Sequence, residues 1–344
     1  MLPKFFHEKG QVMRIGLLFF FSLVVMSMVA TGTTRAERVT LTSGTHVYFQ
    51  GENNHRERQF EAMLPASSEP FAQAILHFKL SCPDGLCDGW DRFGSFGMLD
   101  AQGRYFELMR FITPYGIGAE WAFDISPFLP LLQGKANFRV FIDTWVGPGH
   151  PKGNGWLVDA SIQYIPGVLD QRPVHVLPLL SEANIVYGDP SQDTQRSGTL
   201  LPLIGYRSAK LVTSITGHGQ GNAENCAEFC PKEHSLKVGD KVFSRRIWRD
   251  NCATTVDPNQ KGNYFHSRAG WCPGDKVDPW IEDITGALAS GSVNFTYNVE
   301  LYDNTCRPGV TSCLGCTLGT GCEFDGGRHT EPRYYVSTYA VYYQ

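Results

Sequence analysis

The chain lacks most of the features that mark the common protein classes. Its one long apolar run, Ile15 to Ala30, is 16 residues and too short for a standard membrane-spanning helix. Charged residues make up only 19% and form no long single-sign block, which excludes disorder as the main state. The same sparseness leaves no basic footprint for nucleic acid or for an anionic membrane surface. No HExxH or HxxEH pair, phosphate-binding glycine loop or nucleophile elbow is present, and no Ser–His–Asp spacing stands out. Metalloprotease, nucleotide-hydrolase and serine-hydrolase readings therefore have no starting point. Helical periodicity over several turns, internal repeats and low-complexity tracts are missing as well.

What is there belongs to an exported β protein. The apolar run follows Arg14 and is followed by ATGTTRAE, the layout of a secretory signal over residues 1–36 with cleavage between Ala30 and Ala36. Those residues carry a net +3, so the remaining body stands at −7 within the formal total of −4. A mildly acidic body suits neutral ligands. Ten cysteines in an exported chain form an even set suited to disulfides. Cys82/Cys87 and Cys226/Cys230 are close local pairs, and Cys252 with Cys272 forms a third. Cys306, Cys313, Cys316 and Cys322 make a fourth group, and its single C-x-x-C is a poor match to a zinc site. No metal is expected.

Period-2 alternation marks strands at residues 71–80, 137–146, 157–165, 209–218, 292–302 and 333–343. Turn clusters such as PDG, GPGHPKGNG, GDPSQD and EFDGG separate them, and 36 Gly with 20 Pro supply that punctuation. The expected class is all-β, built of antiparallel sandwiches. The stretch IPGVLDQR divides an N-terminal domain, 37–165, from a C-terminal domain, 166–344, which carries a disulfide-rich insertion at 303–330. Both are ordinary domain sizes.

Four clusters could carry chemistry. In CPDGLCDGWDR a short disulfide loop would hold Trp90, Asp91 and Arg92 on rigid backbone, where burial and a guanidinium can set a carboxyl pKa. In NCAEFC the central Glu228 sits in a tight Cys226–Cys230 loop. Asp143 and Trp145, at the end of an apolar strand, would share one strand face, an acid beside an aromatic platform suited to a sugar ring. In SRAGWCPG, Arg268 and Trp271 lie beside Cys272, and an arginine there can stabilise charge developing on a carbonyl oxygen. Taken singly, each cluster also fits a plain structural loop.

Taken together and in order, CPDGLCDGWDR, RFITPYGIG, FIDTW, NCAEFC and SRAGWCPG resemble the peptide-N-glycosidase F family over about Phe71 to Pro279. The resemblance implies two antiparallel jelly-roll sandwiches of about eight strands each, packed side by side with the active cleft between them. It implies hydrolysis of the amide joining asparagine to the innermost N-acetylglucosamine of an N-glycan. Asp91, Glu228 and Asp143 fall at the positions of the family's acids, with Asp143 in place of a glutamate one methylene longer. Arg268 takes the place of its functional arginine. On this reading Asp91 acts at the amide, Glu228 positions substrate or water, and Asp143 supports Arg268. Arg92, Arg268, Trp90, Trp145 and Trp271 contact substrate. His218 and Phe229 stand where the family carries Trp, which bears on sugar contacts.

The substrates implied are N-glycosylated peptides and proteins. No cofactor, nucleic acid or membrane partner is expected, and the mature protein is expected to be a secreted or periplasmic monomer. Two other readings fit the acids and tryptophans alone: an endo-glycosidase cutting within the chitobiose core, and an inactive secreted glycan-binding protein.

Overall fold

A computed structural model describes residues 36–344 apart from 69–70, 193, 221–223, 290 and 308–329. The expected secretory signal, most of the expected insertion at 303–330 and the cysteines Cys313, Cys316 and Cys322 lie outside the described residues. Cys306 is described and buried.

The first half supplies β1 (Glu37–Gln50), β2 (Asn53–His55), β3 (Glu57–Met63), β4 (Phe71–Ser81), β5 (Phe93–Leu99), β6 (Tyr105–Ile112), β7 (Ala119–Asp124), β8 (Lys135–Ile142) and β9 (Trp156–Pro166). They form a five-stranded sheet, β2-β1-β9-β4-β7, facing a four-stranded sheet, β3-β8-β5-β6. After residues 167–172 the second half supplies β10 (Pro173–Val186), β11 (Arg196–Leu200), β12 (Ser208–His218), β13 (Lys232–Val238), β14 (Lys241–Ile247), β15 (Trp280–Asp283), β16 (Val293–Val299) and β17 (Arg333–Tyr343). These make two four-stranded sheets, β10-β17-β12-β15 and β11-β16-β13-β14. The first sandwich has one strand more than the expected eight, because residues 53–55 fold back as a hairpin on the end of β1.

All six strands read from alternation are present. Two run short: β16 ends at Val299, and β8 ends at Ile142, so Asp143 and Trp145 lie beyond it rather than on it. The Asp143 amide still donates to the Phe93 carbonyl at 2.9 Å, and the Thr144 amide turns back to the Ile142 carbonyl at 2.8 Å. That local turn ends the ladder.

Each sandwich buries its own core. Phe78, Phe96, Phe138 and Trp156 fill the first, and Leu211, Leu236, Phe295 and Tyr297 the second. The last strand, β17, belongs to both. Its Tyr334, Val336, Ala340 and Tyr342 pack inside the second sandwich, whereas Tyr339, Val341 and Tyr343 pack against the first. Both faces are therefore apolar, as in any strand covered on two sides.

A buried polar cluster crosses the same boundary. Arg110 of β6 makes two hydrogen bonds to Glu107, at 2.7 and 2.8 Å, and donates to Thr216 at 3.2 Å, the Tyr335 carbonyl at 2.6 Å and Ser337 at 3.2 Å. Ser337 in turn donates to Glu107 at 2.7 Å. A buried ion pair holds only when its remaining donors and acceptors are met, and here the second sandwich meets them.

The edge of β6 is covered too. The Ile112 amide donates to the Asp275 carbonyl, the Val277 amide to the Arg110 carbonyl and the Gly274 amide to the Ile112 carbonyl, at 2.8–3.0 Å. An edge strand is thus capped by a segment between β14 and β15. That segment continues directly from Arg268–Pro273, so the capping also sets where Arg268 stands.

Candidate active site

Asp91 reaches the boundary between the sandwiches from a braced turn. The Cys82–Cys87 disulfide closes the loop ahead of it. Gly153 packs on that loop with φ +134°, where a Cβ would stand 2.2 Å from the Cys87 carbonyl oxygen. Beyond the loop, buried Asp88 accepts from Arg92 Nε at 2.8 Å, Thr144 Oγ1 at 2.7 Å and the Trp90 amide at 3.1 Å. Thr113 clasps the same turn, accepting from the Arg92 amide at 2.8 Å and donating to the Trp90 carbonyl at 3.1 Å. Arg92, expected at the substrate, is thus held by Asp88, and its part is to hold the turn that carries Asp91.

Glu228 arrives from the second sandwich. The Cys226–Cys230 disulfide closes its loop, and its backbone is tied on both sides. The Glu228 amide donates to the Gly219 carbonyl at 3.0 Å, and the Ala269 amide donates to the Glu228 carbonyl at 2.8 Å.

Arg268 stands between the two acids. Its Nε donates to Glu228 at 3.1 Å, and its Nη2 lies 3.6 Å from the Asp91 carboxylate. The remaining donors go to the His266 and Asn263 carbonyls, each at 2.9 Å, and to the Tyr115 hydroxyl at 3.3 Å. The rings of Phe229 and Trp271 flank the guanidinium, their centroids 5.1 and 4.9 Å away. Each nitrogen has a partner and two rings lie within about 5 Å, which holds the group in place. The Cys252–Cys272 disulfide and the hydrogen bonds exchanged by Arg249 and Arg268 backbones, at 2.8 and 3.0 Å, secure the segment.

Burial decides the electrostatics. It pushes the Asp91 carboxyl up to about 6, against the pull of Arg268 and a hydrogen bond from Tyr115. It pushes Glu228 further, to about 8, with the Asp91 charge adding to the effect and Arg268 opposing it. Two acids around one cation cannot both ionise cheaply, so the pair holds one proton through neutral pH. Burial and the adjacent Asp91 charge also raise the Tyr115 hydroxyl, which stays protonated and serves as a donor.

The other expected residues separate. Asp143 is not on Arg268. It pairs with Arg56 at 2.9 Å, and the Arg56 guanidinium lies 4.4 Å from the centre of the Trp145 ring. Asp143, Arg56 and the half-exposed Trp145 form a shelf, and the expected support of Arg268 falls instead to Tyr115 and Glu228. Trp90 is half exposed, with Lys152 over its ring at 5.6 Å. Trp271 is 2% exposed, gives its indole N–H to the Gly217 carbonyl at 2.7 Å and stacks on His218 at 5.2 Å. It is a core residue under Arg268 and not a sugar platform. His218 is held neutral, its pKa lowered to about 3 by burial and by Arg110 and Arg268.

Tyr115 and Arg56 were missed by the reading of residues. Tyr115 does lie within RFITPYGIG, and that block was the available signal. Arg56 had none, since its partner is 87 positions away. Among the described residues no three His, Cys, Asp or Glu side chains are grouped as metal ligands.

Fold and site together define a class: a double β-sandwich in which acids from two sandwiches converge on one buried arginine. Two family models match, one described as "Peptide-N-glycosidase F, N terminal" over residues 97–164, the other as "Peptide-N-glycosidase F, C terminal" over residues 200–310. Together they span more than half the chain, which belongs to the peptide-N-glycosidase F family. It is 28% identical over 259 residues to the peptide-N(4)-(N-acetyl-beta-D-glucosaminyl)asparagine amidase F of Elizabethkingia miricola, covering 70% of this chain and 71% of that protein. Its fold is shared with the structure of PNGase F, a glycosylasparaginase from Flavobacterium meningosepticum, at TM-score 0.74 and 20% identity, over 90% of this chain and 96% of that one. It is shared also with PNGF-II, at TM-score 0.66 and 15% identity, over 90% of this chain and 65% of that one.

Proposed function

We propose that this protein hydrolyses the side-chain amide linking asparagine to the innermost N-acetylglucosamine of N-linked glycans on peptides and proteins. The observation that carries this reading is the Asp91–Arg268–Glu228 constellation in a chain of this family. Ionised Asp91 takes a proton from water as its oxygen bonds to the amide carbonyl carbon. Arg268 and the Tyr115 hydroxyl hold that carboxylate in place, so little reorganisation is needed as charge develops. Protonated Glu228 gives its proton to the departing nitrogen as the C–N bond breaks. The products are an aspartate in the peptide and a glycosylamine, which water converts to the free glycan and ammonia. Half-exposed Trp90 and Trp145 offer flat apolar faces to the sugars.

Three disulfides among the described residues favour an oxidising compartment, in keeping with the secretory signal, and no helix of the described residues is long and apolar enough to cross a membrane. Export outside the cytoplasm and action as a monomer complete the proposal, as does the division at 166 into two domains.

The test is mass spectrometry of a defined N-glycopeptide after incubation in oxygen-18 water. Conversion of asparagine to labelled aspartate, with the chitobiose end of the glycan intact, is the expected result. A peptide retaining one N-acetylglucosamine would place the cut within the chitobiose core instead. Binding without cleavage across a pH series would leave a glycan-binding protein.

A further inference from the structure

The second sandwich is open along one side. Its two sheets end there in the edge strands β14 and β15, and a concavity of about 220 Å³ lies between them. By liquid volume that is room for about seven waters, the scale of one sugar ring. Thr213 and Ile215 of β12 line it, with Trp280 of β15 and the half-buried Trp248. Three arginines, Arg245, Arg246 and Arg249, complete the lining.

The charges around this mouth do not balance. Arg249 is paired with Asp275 at 3.0 Å, and the one acid in the lining, Asp278, is paired with Lys276. The side chains of Arg245 and Arg246 are exposed and make no ion pair or hydrogen bond among the described residues, with Glu233 standing opposite Arg246 in the β13–β14 ladder. Arg245 also shares the register of Phe243 and Ile247, the core-facing side of β14.

We infer that this mouth is a subsite for an acidic sugar of the glycan substrate, one bearing a carboxylate, on the reading that the protein is an N-glycan amidase. A guanidinium fork matches a carboxylate in two parallel hydrogen bonds. The Trp248 indole supplies the flat apolar face that a pyranose ring needs, and an acidic peptide side chain would leave that face unused. The subsite is fixed to the acid pair through backbone. Two residues past the end of β14, Arg249 exchanges both main-chain hydrogen bonds with Arg268.

An inward charge on an edge strand can instead serve to prevent edge-to-edge pairing, and the experiment separates the two roles. Binding is read first, without catalysis, by titrating the full mature protein with N-acetylneuraminic acid and, as neutral control, N-acetylglucosamine. Saturable, salt-sensitive binding of the acid that is lost in Arg245→Gln/Arg246→Gln supports the subsite; no saturable binding overturns it. Kinetics follow on three glycopeptides, one sialylated, one with a neutral glycan, and one with a neutral glycan beside aspartates in the peptide. The variant should raise KM about tenfold for the sialylated glycopeptide alone. An equal rise for all three, a rise confined to the acidic peptide, or a change only in oligomeric state would overturn the assignment. If the wild type cleaves none of the three, the amidase reading fails, and the titration still decides whether the acidic sugar binds.

Discussion

Replacing Glu228 with glutamine should stabilise the protein at alkaline pH while severely impairing its activity. The carboxyl is held at about 8 in the folded state against an ordinary 4.5, chiefly by burial. Because its folded pKa is raised, the folded state binds the proton more tightly than the unfolded state does. Below the ordinary value both states are protonated and glutamine changes nothing. Between the two values the wild type loses stability as pH rises, and above the folded value the loss levels off. Each pKa unit corresponds to about 1.36 kcal/mol, so the full shift would be roughly 4–5 kcal/mol. Discounting for the 14% of the side chain that water reaches, and for relaxation around the charge, we expect about 2–4 kcal/mol. Glutamine keeps a carbonyl oxygen for Arg268 Nε and brings no charge. Urea unfolding of wild type and Glu228→Gln from pH 4 to pH 9 measures the difference directly. The two stability curves should coincide at the acid end and separate with rising pH. Parallel curves throughout would refute the picture of a carboxyl held uncharged by burial, and with it the acid role given to Glu228.

Three further outcomes follow from the same structure. The pH profile of kcat/KM should be a bell with limbs near about 6 and about 8, rising as Asp91 ionises and falling as Glu228 loses its proton; in Glu228→Gln the alkaline limb should vanish from the residual activity, and its persistence would assign that limb to another group. Arg110→Met should cost about 3–5 kcal/mol in urea unfolding by leaving Glu107 buried without its cation, and Arg110→Met with Glu107→Gln should recover much of that; no recovery would show that the cluster acts by shape and not by charge. Asp143→Asn breaks only a partly exposed pair with Arg56, so kcat/KM should fall by no more than about fivefold, and a hundredfold loss would return Asp143 to the chemistry.

What the sequence by itself determined is local. Alternation over a few residues defines strands, so β4, β8, β9, β12, β16 and β17 were legible, as was the all-β class. Cysteines a few positions apart must close loops, so the turns carrying Asp91 and Glu228 were recognisable as rigid. Those turns, with Arg268, also stood out by their order along the chain. The other eleven strands escaped: β2, β11 and β15 are too short to show a pattern, β6 is buried at every position and so does not alternate, and even the 14-residue β1 and β10 were not read.

What only the tertiary structure decided is pairing across distance. Tyr115 meets Arg268 over 153 positions and Arg110 meets Ser337 over 227, contacts set by how β6 and β17 pack and not by spacing. Trp145 and Trp271 are the same residue type in similar company, yet one is half exposed and the other is sealed beneath an arginine. Asp143 was expected to support Arg268 because it falls at the position of one of the family's acids; the end of β8 at Ile142 sends it to Arg56 instead. The shared proton of Asp91 and Glu228 belongs to the fold as well. Each carboxyl alone is ordinary, and its shift arises when two sandwiches close over both and exclude water.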